Sequence, residues 1–233
     1  MKSKKELLVE EKHNFDSLVS VMNALRSEGG CPWDMEQTHS SVRKCLIEET
    51  YEVIESIDKN DPVLMREELG DLMFQVVFHA QIEAEKNNFN INDVVNDITH
   101  KMIVRHPHVF ADTTVSNSDE VIVNWDNIKK EEKKLEKPSE VLKRVPPFMP
   151  ALLRAEKVQG KALSKFDYGI KSEAEAWEIT NTAVSKGINA CEDDFANAIF
   201  ALCSIAEMKG IDLEAVLSKK TDTFIETFES THM

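Results

Sequence analysis

The fold is decided by Leu46-Ile47-Glu48-Glu49-Thr50-Tyr51-Glu52-Val53-Ile54 together with Glu68-Leu69-Gly70-Asp71-Leu72-Met73 further along the chain. In both segments apolar residues recur every three or four positions, as one face of an α-helix requires. Between them, Lys59-Asn60-Asp61-Pro62 predicts a turn, with Asp61 as the N-cap and Pro62 in the first helical position. The sequence therefore predicts a helical hairpin, with helices at about 40–58 and 62–87.

Five carboxylates lie on this hairpin in two clusters, namely Glu48, Glu49 and Glu52 on the first helix and Glu68 and Asp71 on the second. Side chains three or four positions apart project to one side of a helix, so a folded hairpin sets the two clusters face to face. Like charges beside an apolar stripe repel unless cations neutralise them. Oxygen ligands select hard cations, so we predict that these five residues bind Mg²⁺, with Mn²⁺ able to substitute.

A glutamate-rich helix face is more often simply solvated, and this chain has 42 acidic and 28 basic residues. The functional interpretation therefore depends on the whole constellation. Glu49 and Glu52 lie beside core positions, and the second cluster repeats the geometry of the first.

The composition restricts the class of protein. The 233 residues include only seven glycines and seven prolines, and long stretches have helical periodicity, so we expect an all-α protein. A formal charge of −14 argues against general binding to nucleic acid or to an anionic membrane. The cysteines have no metal-ligand spacing and are interpreted as reduced thiols. No signal peptide or membrane-spanning run is found, so a cytoplasmic location is expected.

Nine helices are predicted, at about 14–27, 40–58, 62–87, 91–104, 118–136, 149–164, 173–186, 191–209 and 212–229. They divide into an N-terminal domain at 14–136 and a C-terminal domain at 149–233, after a frayed terminus at 1–13. Lys137-Pro138 and Pro146-Pro147 bracket a predicted linker at 137–148, since proline interrupts helices.

The second half of the chain resembles a copy of the first that has lost its charged residues. Phe74-x-x-x-Phe78-His79-Ala80 corresponds to Phe200-x-x-x-Ser204-Ile205-Ala206. Glu68-Leu69-Gly70-Asp71 corresponds to Asp194-Phe195-Ala196-Asn197, and no Glu-Glu-x-x-Glu precedes it. We therefore predict that the second domain is structural and that the active site lies in the first.

Four motifs occur in order: Cys31-Pro32-Trp33-Asp34, the two acidic clusters, and Arg105-His106-Pro107-His108-Val109-Phe110. With them the chain resembles the MazG-type nucleoside triphosphate pyrophosphohydrolases, closely over about 14–135 and more weakly to the end. The resemblance implies tandem all-α domains of four-helix-bundle type that assemble as a dimer. It also implies Mg²⁺-dependent hydrolysis of nucleoside triphosphates to monophosphate and pyrophosphate, with Glu48, Glu49, Glu52, Glu68 and Asp71 as metal ligands.

Further roles follow from the chemistry. Glu49 is our hypothesis for the group that accepts the proton of the attacking water, and Glu52 is the alternative. Lys101 and Arg105 share a helix face and are predicted to bind phosphates. Two more residues are predicted to bind the substrate. Arg43 either reaches a phosphate or pairs with a glutamate. Trp33 either stacks on a base or packs against the bundle.

Three alternatives remain open. A di-iron carboxylate bundle needs Glu-x-x-His on two helices, but Glu10-x-x-His13 and Glu36-x-x-His39 lie outside the two acidic helices. A regulatory or scaffold protein would bind nucleotide without turnover. Finally, if activity resided in the second domain, as in some two-domain members of the family, the missing acids would leave this protein weak or inactive.

Overall fold

The computed structural model describes residues 2–9, 11–132 and 138–232, and every regular element in these ranges is helical. This confirms the predicted all-α class. The described elements are α1 Lys4–Val9, α2 Phe15–Arg26, α3 Pro32–Glu36, α4 Arg43–Asp58, α5 Pro62–Glu85, α6 Ile91–Arg105, α7 Pro107–Phe110, α8 Ser118–Glu132, α9 Pro138–Lys143, α10 Ala151–Phe166, α11 Glu173–Ser185, α12 Glu192–Lys209 and α13 Leu213–His232, with a 3₁₀ turn at Gly187–Asn189.

The turn between α4 and α5 has the predicted chemistry. The Asp61 carboxylate accepts hydrogen bonds from the backbone nitrogens of Val63 at 2.9 Å and Leu64 at 3.1 Å, and Pro62 follows the cap. Asn60 adopts a left-handed conformation with φ of 51°, which asparagine tolerates better than most residues. The two helices pack against each other as the predicted hairpin.

The first compact unit, Met1–Lys129, has its core around the second half of α5. Helices α2 and α6 both pack against α5. The first half of α5 is different, because Leu69 and Met73 are each nearly half exposed. The buried core residues are Met22, Val42, Val77, Phe78, Ala80, Ile82 and Ile91.

The second compact unit, Lys130–Met233, has the same order of main helices. Here α11 and α12 form the hairpin, and α10 packs on α12 as α2 packs on α5. Its buried core contains Ala176, Ala201 and Ile205.

Two predicted irregular segments differ from the structure. The terminus predicted to be frayed contains α1, and the Lys2 ammonium donates a hydrogen bond to Ser17 Oγ at 2.8 Å. The predicted linker contains α9 and the buried Val145 in its described part. The predicted boundary at 136/137 lies outside the described residues. Helices of four to six residues are too short to produce a clear periodicity, so the sequence did not reveal them.

The sequence also predicts reduced cysteines and the absence of a membrane-spanning segment. The four cysteines are free thiols. Over the described ranges, no helix combines the length and the apolar character needed to cross a bilayer.

Candidate metal and nucleotide site

The register of the α4–α5 hairpin brings carboxylates from the two helices to the same level. Glu52 and Glu68 are each eight residues from Asn60 in the turn, and Glu49 and Asp71 are each eleven residues from it. Antiparallel helices joined by a tight turn place such equidistant residues side by side. Glu49, Glu68 and Asp71 each offer a carboxylate oxygen, and the three oxygens lie within 4.8 Å of one another.

The carboxylates of this cluster are electrostatically strained. Partial burial raises the pKa of Glu49, and the negative charges of Asp71, Glu52 and Glu68 raise it further. The pKa of Glu68 is raised in the same way, by desolvation first and then by Glu52 and its other acidic neighbours. A positive ion among these groups would remove the cause of the repulsion.

The two remaining glutamates of the motif have different surroundings. Glu52 is exposed and lies close enough to both Glu49 and Glu68 to raise the pKa of each. Glu48 points to Lys44, whose ammonium lies 2.9 Å from Glu48 Oε1. The structure thus places Glu52 at the edge of the three-carboxylate cluster and Glu48 in a surface ion pair.

The predicted phosphate-binding residues lie toward the end of α6. The segment 86–90 joins α5 to α6, and Arg105 and Asp71 are each seventeen residues from Asn88 in that segment. The returning helix therefore carries Arg105 toward the carboxylate end of α5, with Lys101 one turn before it. Lys101 is exposed and Arg105 is half-buried.

Trp33 and Arg43 lie further from the carboxylates along the hairpin. Arg26 binds the carbonyl oxygens of Asp34 and Gln37 and also pairs with Glu85, so the end of α3 lies beside the end of α5. Glu85 is fourteen residues beyond Asp71, or about 21 Å along the helix. Trp33 is 60% exposed. Trp33 thus lies far from the chain's own carboxylates.

Arg43 begins α4, six residues before Glu49, or about 9 Å along the helix. Its side chain is exposed. Arg43 is thus nearer to the carboxylates along the hairpin than Trp33, and Arg105 is related to them only through the connection between α5 and α6.

The corresponding positions in the second unit have no such cluster. Asp194, which aligns with Glu68, accepts a hydrogen bond from Cys191 N at 3.0 Å and pairs with Lys186 at 2.5 Å. These contacts lower the pKa of Asp194 to about 2. Across the described ranges, the only group of three carboxylate, thiol or imidazole ligands close enough for one ion is Glu49, Glu68 and Asp71.

Sequence reasoning missed two polar contacts that fix the surroundings of the hairpin. Arg26 forms a bidentate pair with Glu85, with both nitrogen–oxygen distances 2.8 Å. His39 connects His79 and Glu83 through its two ring nitrogens. These partners are 40 to 59 residues apart in sequence, so no local pattern could have revealed them.

Comparison with known proteins adds independent information. Residues 37–110, which include the carboxylate cluster, match the MazG nucleotide pyrophosphohydrolase domain. The nucleoside triphosphate pyrophosphohydrolase/pyrophosphatase MazG of Thermotoga maritima is 39% identical over 220 residues, covering 92% of this chain and 84% of the relative. The nucleoside triphosphate pyrophosphohydrolase of Escherichia coli K12 is 37% identical over 226 residues, with coverages of 93% and 86%.

Proposed function

This chain belongs to the MazG nucleotide pyrophosphohydrolase family, and we propose that it hydrolyses nucleoside triphosphates to nucleoside monophosphate and pyrophosphate. The observation that carries the proposal is the convergence of Glu49, Glu68 and Asp71 inside the matched region. Catalysis is assigned to the N-terminal unit, since Asp194 of the second unit is neutralised by Lys186.

The carboxylate cluster fits a divalent cation in its donor chemistry. Its three close ligand atoms are all carboxylate oxygens, which suit Mg²⁺ and Mn²⁺ better than softer metals. Glu49, Glu68 and Asp71 would hold the metal, with Glu52 adjacent and Glu48 available if it leaves Lys44. A bound Mg²⁺ would neutralise phosphate charge and lower the pKa of a coordinated water.

The side chains of the hairpin supply the proton chemistry. Glu49 is the proposed general base, because it is partly buried within the carboxylate cluster and would accept the proton of a water held there. Glu52 is the alternative, since it is exposed and contacts the same carboxylates. Cleavage between the α- and β-phosphates requires this base to face the α-phosphorus, while the pyrophosphate leaves toward cationic groups.

Lys101 and Arg105 are the proposed phosphate-binding residues. The register of α6 carries Arg105 toward the carboxylate end of the hairpin, and a guanidinium can engage two phosphate oxygens at once. Arg43 would meet the substrate only through its long side chain. Trp33 would contact a nucleobase only in a partner's site, since about 21 Å of α5 separates the end of α3 from its own carboxylates.

We further propose that the chain forms a homodimer through the outer face of the hairpin. Ile47, Tyr51 and Ile54 on α4 are 44–52% exposed, and Leu69 and Met73 on α5 are 46–47% exposed. These side chains continue along one surface at helical spacing, and such an apolar patch is costly in contact with water. Packing two hairpins together would complete a four-helix bundle.

The test is pyrophosphate release from a panel of ribo- and deoxyribonucleoside triphosphates, with and without Mg²⁺. Wild type is compared with Glu49→Gln and Glu52→Gln, and Glu55→Gln serves as the matched control, because Glu55 lies on the same helix and pairs with Lys59. We expect monophosphate and pyrophosphate as products. Both site variants should lose about a hundredfold or more in rate, and the control should remain active.

The position of bond cleavage can be determined in the same assay by using ¹⁸O-labelled water. Label in the monophosphate is expected from attack at the α-phosphorus. Diphosphate and orthophosphate as products would contradict the proposed reaction. Nucleotide binding without turnover would instead support the alternative function, a regulatory nucleotide-binding protein.

A further inference from the structure

His39 connects the loop before α4 to the second half of α5. Its Nδ1 lies 2.7 Å from Nδ1 of His79, and its Nε2 lies 2.6 Å from Oε1 of Glu83. The two imidazole rings are nearly parallel, with centroids 5.0 Å apart. The His39 side chain thus joins the loop before α4 to two residues of α5.

This contact lies at the end of the hairpin opposite to the turn. The turn at Asn60 joins α4 to α5 covalently, whereas at the other end side chains hold the loop at 37–42 against α5, His39 through His79 and Arg26 through Gln37 and Glu85. The repelling carboxylates lie between these two ends. A contact at the open end therefore opposes the separation of the helices that this repulsion favours.

The arrangement of ring nitrogens suits a proton better than a metal ion. His39 faces His79 with one nitrogen and Glu83 with the opposite nitrogen. A single cation bound to one nitrogen of His39 could not also use the other, so the three side chains do not converge on one point. The close Nδ1–Nδ1 contact instead requires one hydrogen between the two rings.

Glu83 determines which ring nitrogen of His39 carries a proton. Its carboxylate is close to His39, to Lys86 Nζ at 2.7 Å and to Asn88 Nδ2 at 2.7 Å. Lys86, Asn88 and His39 lower the pKa of Glu83 to about 2, so the carboxylate stays ionised and His39 keeps a proton on Nε2. If both rings became cations, two N–H groups would face each other at 2.7 Å.

We propose that the His39–His79 pair is an acid-sensitive latch that holds the open end of the carboxylate hairpin and releases it when both rings are protonated. The other charged groups around His39 are Arg26 from α2 and Glu85 and Lys86 from α5. Arg26 and Glu85 pair with each other, and Lys86 contacts Glu83. The proton uptake that opens the latch therefore belongs to the histidine pair.

The pKa of His79 determines whether the latch opens as the pH rises or as it falls. Burial, and then the charge of His39, lower the pKa of His79 below the ordinary histidine value. The latch is therefore closed at neutral pH and opens on the acid side of about pH 6.5. This device does not depend on the proposed enzymatic function, because it concerns the conformation of the protein without metal or substrate.

The test is amide hydrogen exchange of metal-free protein from about pH 8 to about pH 5. The reporters are the backbone N–H groups of Ser41 and Val42, which both donate to the carbonyl oxygen of Thr38 in the latched loop. After correction for intrinsic exchange rates, protection of these amides should fall by up to about tenfold per pH unit below the pKa of His79.

Variants separate the latch from general acid sensitivity. In His79→Asn the amide N–H can donate to Nδ1 of neutral His39, or the amide oxygen can accept from protonated His39, and the amide itself does not titrate, so protection should stay independent of pH. His79→Phe should show low protection throughout this range. His100→Asn, which removes an exposed histidine on α6, should behave as wild type.

Two results would overturn the proposal. One is protection in wild type that does not change with pH. The other is an unchanged loss of protection in His79→Asn. If the variants fail to fold, NMR titration of His79 in the intact wild type still decides, because its protonation must coincide with the loss of amide protection at Ser41 and Val42. Protection that is lost independently of the His79 titration would contradict the latch.

Discussion

Glu49 on α4 and Asp71 on α5 stand eleven residues on either side of Asn60, and this register sets their like charges against each other. The same turn aligns Glu52 with Glu68 eight residues away on each side. The hairpin thus stores electrostatic repulsion at the place where a cation would relieve it.

Removing one charge from the cluster should stabilise the metal-free protein. The folded-state pKa of Glu49 is raised, so its ionisation opposes folding at neutral pH, and its unfavourable contribution disappears once the pH is low enough to protonate it in both states. We expect Glu49→Gln to raise the Tm by about 2–4 °C at pH 7. Glu55→Gln should not raise it. A lower Tm for Glu49→Gln at pH 7 would contradict this account.

Divalent cations should bind to the cluster with measurable affinity. Asp71→Asn removes one of the three close oxygens and should weaken Mn²⁺ binding at least about tenfold. Glu55→Gln is the matched control, since Glu55 lies on the facing helix outside the cluster and pairs with Lys59. Calorimetric titration with Mn²⁺ measures both. Equal affinity in wild type and Asp71→Asn would exclude this cluster as the metal site.

Arg26 should be a major stabilising residue of the first unit. Its side chain is 5% exposed, pairs with Glu85, and lies with its guanidinium 5.0 Å from the centre of the Phe78 ring. Arg26→Met should lower the free energy of unfolding by roughly 1.5–3 kcal/mol, because charged hydrogen bonds are lost. Urea denaturation measures this loss. Arg26→Lys should recover only part of it, since a lysine cannot reproduce the bidentate pair.

The stability provided by Asp194 should depend on pH in the acid range. Lys186 and the backbone and thiol of Cys191 lower the pKa of Asp194 to about 2. A lowered folded-state pKa gives stabilisation that is complete above the unfolded value of about 4 and is lost as the pH falls through the folded value. Asp194→Asn should therefore lower the Tm at pH 7, and the difference from wild type should shrink toward pH 2. A difference that stays constant with pH would contradict the ionic origin of this effect.

The proposed dimer should depend on the apolar face of the hairpin. Ile54 is 44% exposed on α4, and Ile54→Lys would place a charge within the proposed interface. We expect a shift from dimer to monomer in light scattering at micromolar concentration. Val123→Lys changes a similarly exposed residue on α8 and should leave the mass unchanged. A wild type that is monomeric at every concentration would exclude the dimer.

The hairpin itself could be predicted because its determinants are local. The apolar repeat, the Asp61 cap and Pro62 act over three or four residues, and the structure confirms the turn that they specify. The Glu-Glu-x-x-Glu and Glu-x-x-Asp spacings likewise predict carboxylates on two facing helices. Short helices such as α3 were missed, since five residues contain too little of the periodic pattern.

By itself, the sequence determined the helical class, the hairpin and the facing carboxylates, because periodicity and capping depend on neighbouring residues. Only the tertiary structure decided that Arg26 pairs with Glu85, that Trp33 lies at the far end of α5, and that His39 meets His79. Those outcomes depend on which side-chain rotamers and loops the packed helices allow. Packing joins residues that are distant in the chain, and such contacts have no fixed spacing in a sequence.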